Sequence, residues 1–170
     1  EFINPTLGDQ FFQQTFTALI IAFVLMGIIV FIYFKTFIPS IAVIISAFSD
    51  IVTTAAIANI FNIQFSTAGI AAFLMLIGYS VDTDILLSTK MLRGKGTLFS
   101  RFLAAFKTGG TMAMTTILAV GFALFFTESV VIRQIMLIVL IGLIVDLFNT
   151  WLLNAAILRW YVERKGGGSE

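Results

Sequence analysis

The chain has 170 residues, of which 59% are hydrophobic and 11% charged, and it contains neither Cys nor His. A soluble domain carries about 25% charged residues, so the apolar excess exceeds what a core of this size buries in water, and it points to lipid as the solvent. The missing residue types exclude thiol chemistry, disulfides, Cys- or His-ligated zinc, His-held haem and a catalytic imidazole, while a net charge of +1 identifies no partner because charge distribution outweighs charge sum in a membrane protein.

Residues 10–165 read as one all-α, polytopic transmembrane domain of five spans. Glu1-Phe2-Ile3-Asn4-Pro5 has no basic region before an apolar run, so it does not read as a cleavable signal peptide. Glu1-Phe2 reads as a cloning scar. A span needs about 20 apolar residues. The first covers about 15–34. The second covers about 40–60, with Pro39 just before it, where a missing N–H is harmless. The third covers about 66–87, with helix continuing toward Leu92. Residues 94–107 form a cytoplasmic loop in which Leu98, Phe99, Phe102, Leu103 and Phe106 share one helical face, predicting an amphipathic helix on the inner interface. The fourth span covers about 108–126. The fifth covers about 130–158 and is long enough to tilt. Trp160 and Tyr161 follow it as headgroup-depth anchors. Residues 166–170 read as a linker or tag remnant.

The links alternate in charge. Lys35, then Lys90, Arg93, Lys95, Arg101 and Lys107, then Arg159, Arg164 and Lys165 lie on one side; Arg133 alone lies on the other. Basic flanks stay in the cytoplasm, so the N-terminus is expected outside and the C-terminus inside. Short links, Phe61 to Phe65 and Thr127-Glu128-Ser129, make neighbouring spans antiparallel.

Four acids fall within spans: Asp50, Asp82, Asp84 and Asp146. An Asp at the bilayer centre costs about 2.5–3.5 kcal/mol on insertion scales. No Lys or Arg lies at mid-depth to offset it, and Lys90, about two turns beyond Asp82, is the nearest base in sequence. The acids are either neutral or line a wet cavity, and both options suit proton or cation handling. Asp82 and Asp84 point about 200° apart on a helix, so only one faces a given partner helix, and Asp82 is taken as the inward one. Ser80, Thr83, Asp84, Thr115, Thr116 and Asn149 are polar companions, joined by Thr53, Thr54, Thr150 and Asn154. They form either a polar track or interhelical hydrogen bonds averaging about 0.6 kcal/mol each. Ala68, Gly69, Ala71, Ala72 and Gly78 let the third span approach its neighbours closely.

The stretch Gly78-Tyr79-Ser80-Val81-Asp82-Thr83-Asp84-Ile85-Leu86-Leu87-Ser88-Thr89-Lys90 resembles a signature of the SecD/SecF protein-export family of the resistance-nodulation-division (RND) superfamily. Its opening is closer to the SecF type, in its archaeal form, than to SecD. Ser49-Asp50-Ile51, Met114-Thr115-Thr116-Ile117 and Gly142-Leu143-Ile144-Val145-Asp146 resemble further elements of the family. The resemblance implies an auxiliary subunit of Sec-dependent export that pairs with SecD beside the Sec channel and handles a translocating polypeptide. It implies that Asp50 is the buried coupling acid and Lys90 the base of the family's D-R element. Thr89 stands where the bacterial form carries Asp, and Asp146 where it carries a small residue. The family has six helices with an extracytoplasmic domain after the first, so the resemblance implies a chain truncated to the last five.

The residues proposed for proton or ion coupling are therefore Asp50, Asp82, Asp146 and Lys90. No enzyme activity, cofactor, metal or nucleic-acid partner is expected; the setting is the cell membrane and its lipids. The competing readings are an RND-type exporter fragment moving lipids or small hydrophobic molecules, and a non-transporting scaffold subunit whose acids are helix glue.

Overall fold

A computed structural model of the chain describes residues 5–63 and 67–166. Long apolar runs with few breakers make long helices. Helix α1 spans Pro5–Phe34 and α2 spans Phe37–Ile60. Between them Lys35 adopts a left-handed conformation, φ 51°, and its N–H bonds Phe31 O at 2.9 Å, closing the last turn. Pro39 sits in the first turn of α2, where no intrahelical N–H is needed. At the other end of α2, Asn62 takes φ 54°, a conformation Asn tolerates. The Ile63 N–H then reaches back to Ala58 O at 2.9 Å.

Helix α3 spans Thr67–Arg93 and α4 spans Leu98–Phe126. Thr97 caps α4, its hydroxyl accepting from the Ser100 N–H at 3.3 Å. Helix α5 spans Val130–Phe148, capped by the Ser129 hydroxyl. It runs into a π-helical turn, Asn149–Asn154, and then α6, Ala155–Gly166. Five segments are long and apolar enough to cross a membrane: Phe16–Phe34, Phe37–Ile60, Gly69–Arg93, Leu98–Phe126 and Val130–Arg164. The last joins α5, the π turn and α6 in one span, so the all-α, five-span bundle expected from the sequence is the observed fold.

The inner loop differs from expectation. Residues 98–107 are not a separate interfacial helix but the opening turns of α4, which continues unbroken to Phe126. Nothing between Thr97 and Phe126 breaks the helix, and Phe102 and Phe106 pack on Trp151 at ring distances of 6.0 and 4.9 Å. The supposed scar Glu1-Phe2, the tag-like residues 167–170, Gln64 and Phe65 of the outer link, and Ser66 lie outside the described residues.

Helix α3 is central, touching α1, α2, α4 and α5, while α5 also packs on α2 and α4. Most of α1 faces outward, with Ile20, Val24, Leu25, Ile28 and Ile32 all exposed; in a bilayer such a face meets lipid. Its C-terminal end is pinned by Tyr33, whose hydroxyl is 3.4 Å from that of Thr89 and whose ring lies under the Arg93 guanidinium. Three apolar clusters fill the interior. Met26, Val30, Val43, Ala47, Ile77 and Val81 join α1, α2 and α3. Leu76, Val120, Ile138 and Leu143 form the second cluster, and Leu87, Met91, Ala105, Trp151 and Leu158 the third. Close approach needs glycine at two points. A Cβ on Gly142 would collide with the Leu76 side chain, and one on Gly109 would lie 2.7 Å from Trp151 Cζ2.

Candidate functional site

Between the second and third apolar clusters the interior turns polar. Three buried carboxyls come from three helices: Asp50 on α2, Asp84 on α3 and Asp146 on α5, each at most 1% exposed. Asp50 accepts from the Ser80 hydroxyl at 2.5 Å and from Asn149 Nδ2 at 2.7 Å, and Asn149 Nδ2 also reaches Ser49 Oγ at 3.1 Å. Asp84 Oδ1 accepts from Asn154 Nδ2 at 2.6 Å and lies 3.0 Å from Thr150 Oγ1. The same Thr150 oxygen is 3.2 Å from Asp146 Oδ1. Asp50 and Ser80 border Asp146 on its other side. The carboxyls are thus strung in a row, Asp50 to Asp146 to Asp84, with Thr150 between the last two.

The π turn supplies the donors. It carries Asn149, Thr150 and Asn154, and all three side chains bond the buried acids. Its widened ladder, with the Ala155 N–H reaching Thr150 O, interrupts the regular helix where those donors are needed. Such turns recur at functional sites.

No Lys or Arg joins this row. The one ion pair among the described residues is Arg159–Glu163, at the exposed end of the last span. Lys90 turns away: its Nζ donates to Ala104 O at 2.9 Å and Thr108 Oγ1 at 2.6 Å, tying α3 to α4. Among the described residues no three acids converge closely enough to hold a metal ion. Asp84 Oδ2, Asp146 Oδ2 and Asn154 Oδ1 are buried without a hydrogen-bond partner.

Placement corrects one expectation. Asp84, not Asp82, faces inward; Asp82 is exposed on the opposite side of α3. The inward row of α3 runs Leu76, Ser80, Asp84 and Ser88 at intervals of four, all buried, while exposed Gly78 lies in the row of Asp82. Thr83 is buried but bonds its own helix at Tyr79 O. Thr115 and Thr116 likewise bond carbonyls of α4, at Thr111 and Met112, and Thr115 is exposed. The site thus unites Asp50, Asp146, Asp84, Ser80 and Asn149, and leaves out Asp82, Thr83, Lys90, Thr115 and Thr116. Thr150 and Asn154 count for more than as companions. Their signal was present in the sequence, one and two turns beyond Asp146, on the side that meets α3.

Fold and site together define a multi-pass membrane protein with a hydrogen-bonded carboxyl row in its interior. The family model described as "Protein export membrane protein SecD/SecF, C-terminal" matches residues 1–164, and the chain belongs to that family. Its relatives stand on the SecF side. It is 50% identical to the protein-export membrane protein SecF of Methanolacinia petrolearia over 167 residues, covering 96% of this chain and 59% of that one. It is 44% identical to the SecF of Pyrococcus furiosus, covering 97% and 56%. It is 45% identical to that of Haloferax volcanii, covering 94% and 56%. The chain spans somewhat more than half the length of these relatives.

Proposed function

We propose that this bundle is the membrane-spanning portion of a SecF-type export subunit that works with SecD beside the Sec channel, and that it couples a proton or cation gradient to polypeptide translocation through Asp50. The relatives' shared name, protein-export membrane protein SecF, supports the export role. One observation carries the coupling role: Asp50 is buried in a row of acids with hydroxyl and amide partners but no cation beside it. A buried ionised carboxylate without a counter-charge is costly. Uptake and release of a positive charge would alternately relieve and restore that cost. The polar contacts orient the carboxyl without neutralising it.

The test is Asp50→Asn in the full-length protein assembled with SecD. Asn keeps the shape and carries no charge; its amide oxygen can still accept from Asn149, and its amide N–H can donate to the Ser80 hydroxyl once that rotates to accept. Export stimulation is expected to fall to the level without the subunit, while the melting temperature in detergent stays near wild type. Normal export in this variant ends the coupling proposal. If the acids are only helix glue, the melting temperature falls and gradient-driven export persists in the molecules that remain folded.

A further inference from the structure

Thr150 poses a hydrogen-counting problem. Its hydroxyl carries one hydrogen, yet its oxygen lies 3.0 Å from Asp84 Oδ1 and 3.2 Å from Asp146 Oδ1. Two ionised carboxylates offer only acceptors. If Thr150 donates to one, the other contact is a hydrogen bond only when that carboxyl brings its own proton. Asn154 resolves which. Its Nδ2 donates to Asp84 Oδ1 at 2.6 Å, so Asp84 is the acid already dressed with a donor. Asp146 Oδ1 has no donor besides Thr150, and its buried Oδ2, with Asp50 and Ser80 as neighbours of the carboxyl, completes no hydrogen bond. Asp84 Oδ2 and Asn154 Oδ1 are also buried and unpartnered, on residues that are wholly inaccessible. The region therefore has more acceptors than hydrogens.

We propose that Asp146, Thr150 and Asp84 form a proton-binding site that holds one proton, resting on Asp146 Oδ1 and passing to Asp84 through the Thr150 hydroxyl. In the resting arrangement Asp146 donates to Thr150 Oγ1 and Thr150 donates to Asp84 Oδ1. In transfer, the Asp146 proton moves to Oγ1 while the hydroxyl proton moves to Asp84 Oδ1. Thr150 ends as a hydroxyl donated toward Asp146, the negative charge has moved from Asp84 to Asp146, and no other reactant is consumed. The ionisable groups facing Asp146 are Asp50 from α2 and Asp84 and Tyr79 from α3. This deepens the coupling reading, because Asp146 also borders Asp50, so the site extends the path from Asp50 toward the inner end of the bundle. Thr150 is a positioning residue, acting through the two acids.

The test is infrared spectroscopy of the carboxyl C=O stretch in the purified full-length protein reconstituted in lipid, with hydrogen–deuterium exchange to identify protonated acids. The variants are Asp146→Asn, Thr150→Val and Thr150→Ser. At neutral pH the wild-type chain is expected to show a hydrogen-bonded, protonated carboxyl. Asp146→Asn removes one carboxyl's share of that band. Thr150→Val shifts the same component to the position of a weakly bonded acid, and Thr150→Ser leaves it in place. A band that loses nothing in Asp146→Asn, or one indifferent to Thr150→Val, overturns the proposal. If Thr150→Val does not fold, Asp146→Asn alone decides: loss of the component supports the site and its persistence refutes it. Because the readout is made without the export machinery, failure of the Asp50 export test leaves this result standing, and the reverse also holds.

Discussion

Substituting Asp82 and Asp84 in turn separates an acid that faces outward from one that is built into the interior. Asp82 is exposed and Asp84 inaccessible, although they are two residues apart. Asp82→Asn is expected to change stability by no more than about 0.5 kcal/mol, as for substitutions away from packed or bonded features. Asp84→Ala removes the acceptor of Thr150 and Asn154 and leaves buried donors unpaired, at roughly 1–3 kcal/mol. Thermal melts of the two purified variants in one detergent check this, and equal losses would show the assigned facing to be wrong. The inward position was partly legible in the sequence. Composition and insertion cost marked all four acids, and the 200° rule showed that only one of the pair can face in. The phase of α3 decides which, and it is set by packing: Leu76, Ser80, Asp84 and Ser88 share a face with Leu87 and Met91, and that row is recognisable only once the partners of Ser80 are known.

At the scale of elements, the last span departs from a regular helix, and its π turn brings the donors to the acids. The sequence showed Asn149, Thr150 and Asn154 near Asp146 but gave no sign of the turn, because the register of a π turn depends on what the helix packs against. One such contact is the Trp151 ring, which lies over Gly109 and meets the stacked Phe102 and Phe106 rings edge-on. A Cβ at Gly109 would lie 2.7 Å from Cζ2 and 3.1 Å from Cη2, and the two Phe rings limit any swing of the indole. Gly109→Ala is therefore expected to destabilise by about 1–3 kcal/mol, the usual cost of overpacking. Gly110 is the control. A Cβ there meets nothing within 4 Å, so Gly110→Ala is expected to be neutral or to stabilise by up to about 1 kcal/mol through helix propensity. Melting temperatures that fall equally in both variants would mean that Trp151 does not occupy this space. The amphipathic stretch ahead of Gly109 is ambiguous in the sequence for a related reason. A face of Leu98, Phe99, Phe102, Leu103 and Phe106 fits an interfacial helix and the end of a span equally well, and the contacts of Phe102 and Phe106 with Trp151 decide for the latter.

For the whole molecule, the arrangement of charge around the bundle predicts its orientation. The bases at Lys35, in the Lys90–Lys107 region and at Arg159 to Lys165 lie at the same end of the antiparallel spans, and Arg133 lies at the other. Lys and Arg near span ends are retained on the cytoplasmic side. The Gly94–Thr97 link is therefore expected in the cytoplasm and the Thr127–Ser129 link outside. The pinning of α1 by Arg93 over Tyr33 fixes those basic ends relative to one another, so a single reporter on each side reads the entire bundle. These 170 residues contain no Cys, so a cysteine introduced here is the single labelling target within the segment, and the unsubstituted full-length protein serves as the background control. Lys95 and Glu128 are exposed and neither caps a helix, so Lys95→Cys and Glu128→Cys leave the packing alone. In the full-length protein in intact cells, a membrane-impermeant maleimide is expected to label Glu128→Cys and to reach Lys95→Cys only after permeabilisation. Labelling of Lys95→Cys in intact cells would invert the bundle. Under the proposed coupling role, a gradient would then meet the row from the opposite end, and Asp84, the acid of the row nearest the basic ends in sequence, would take the entry position that the proposal gives to Asp50.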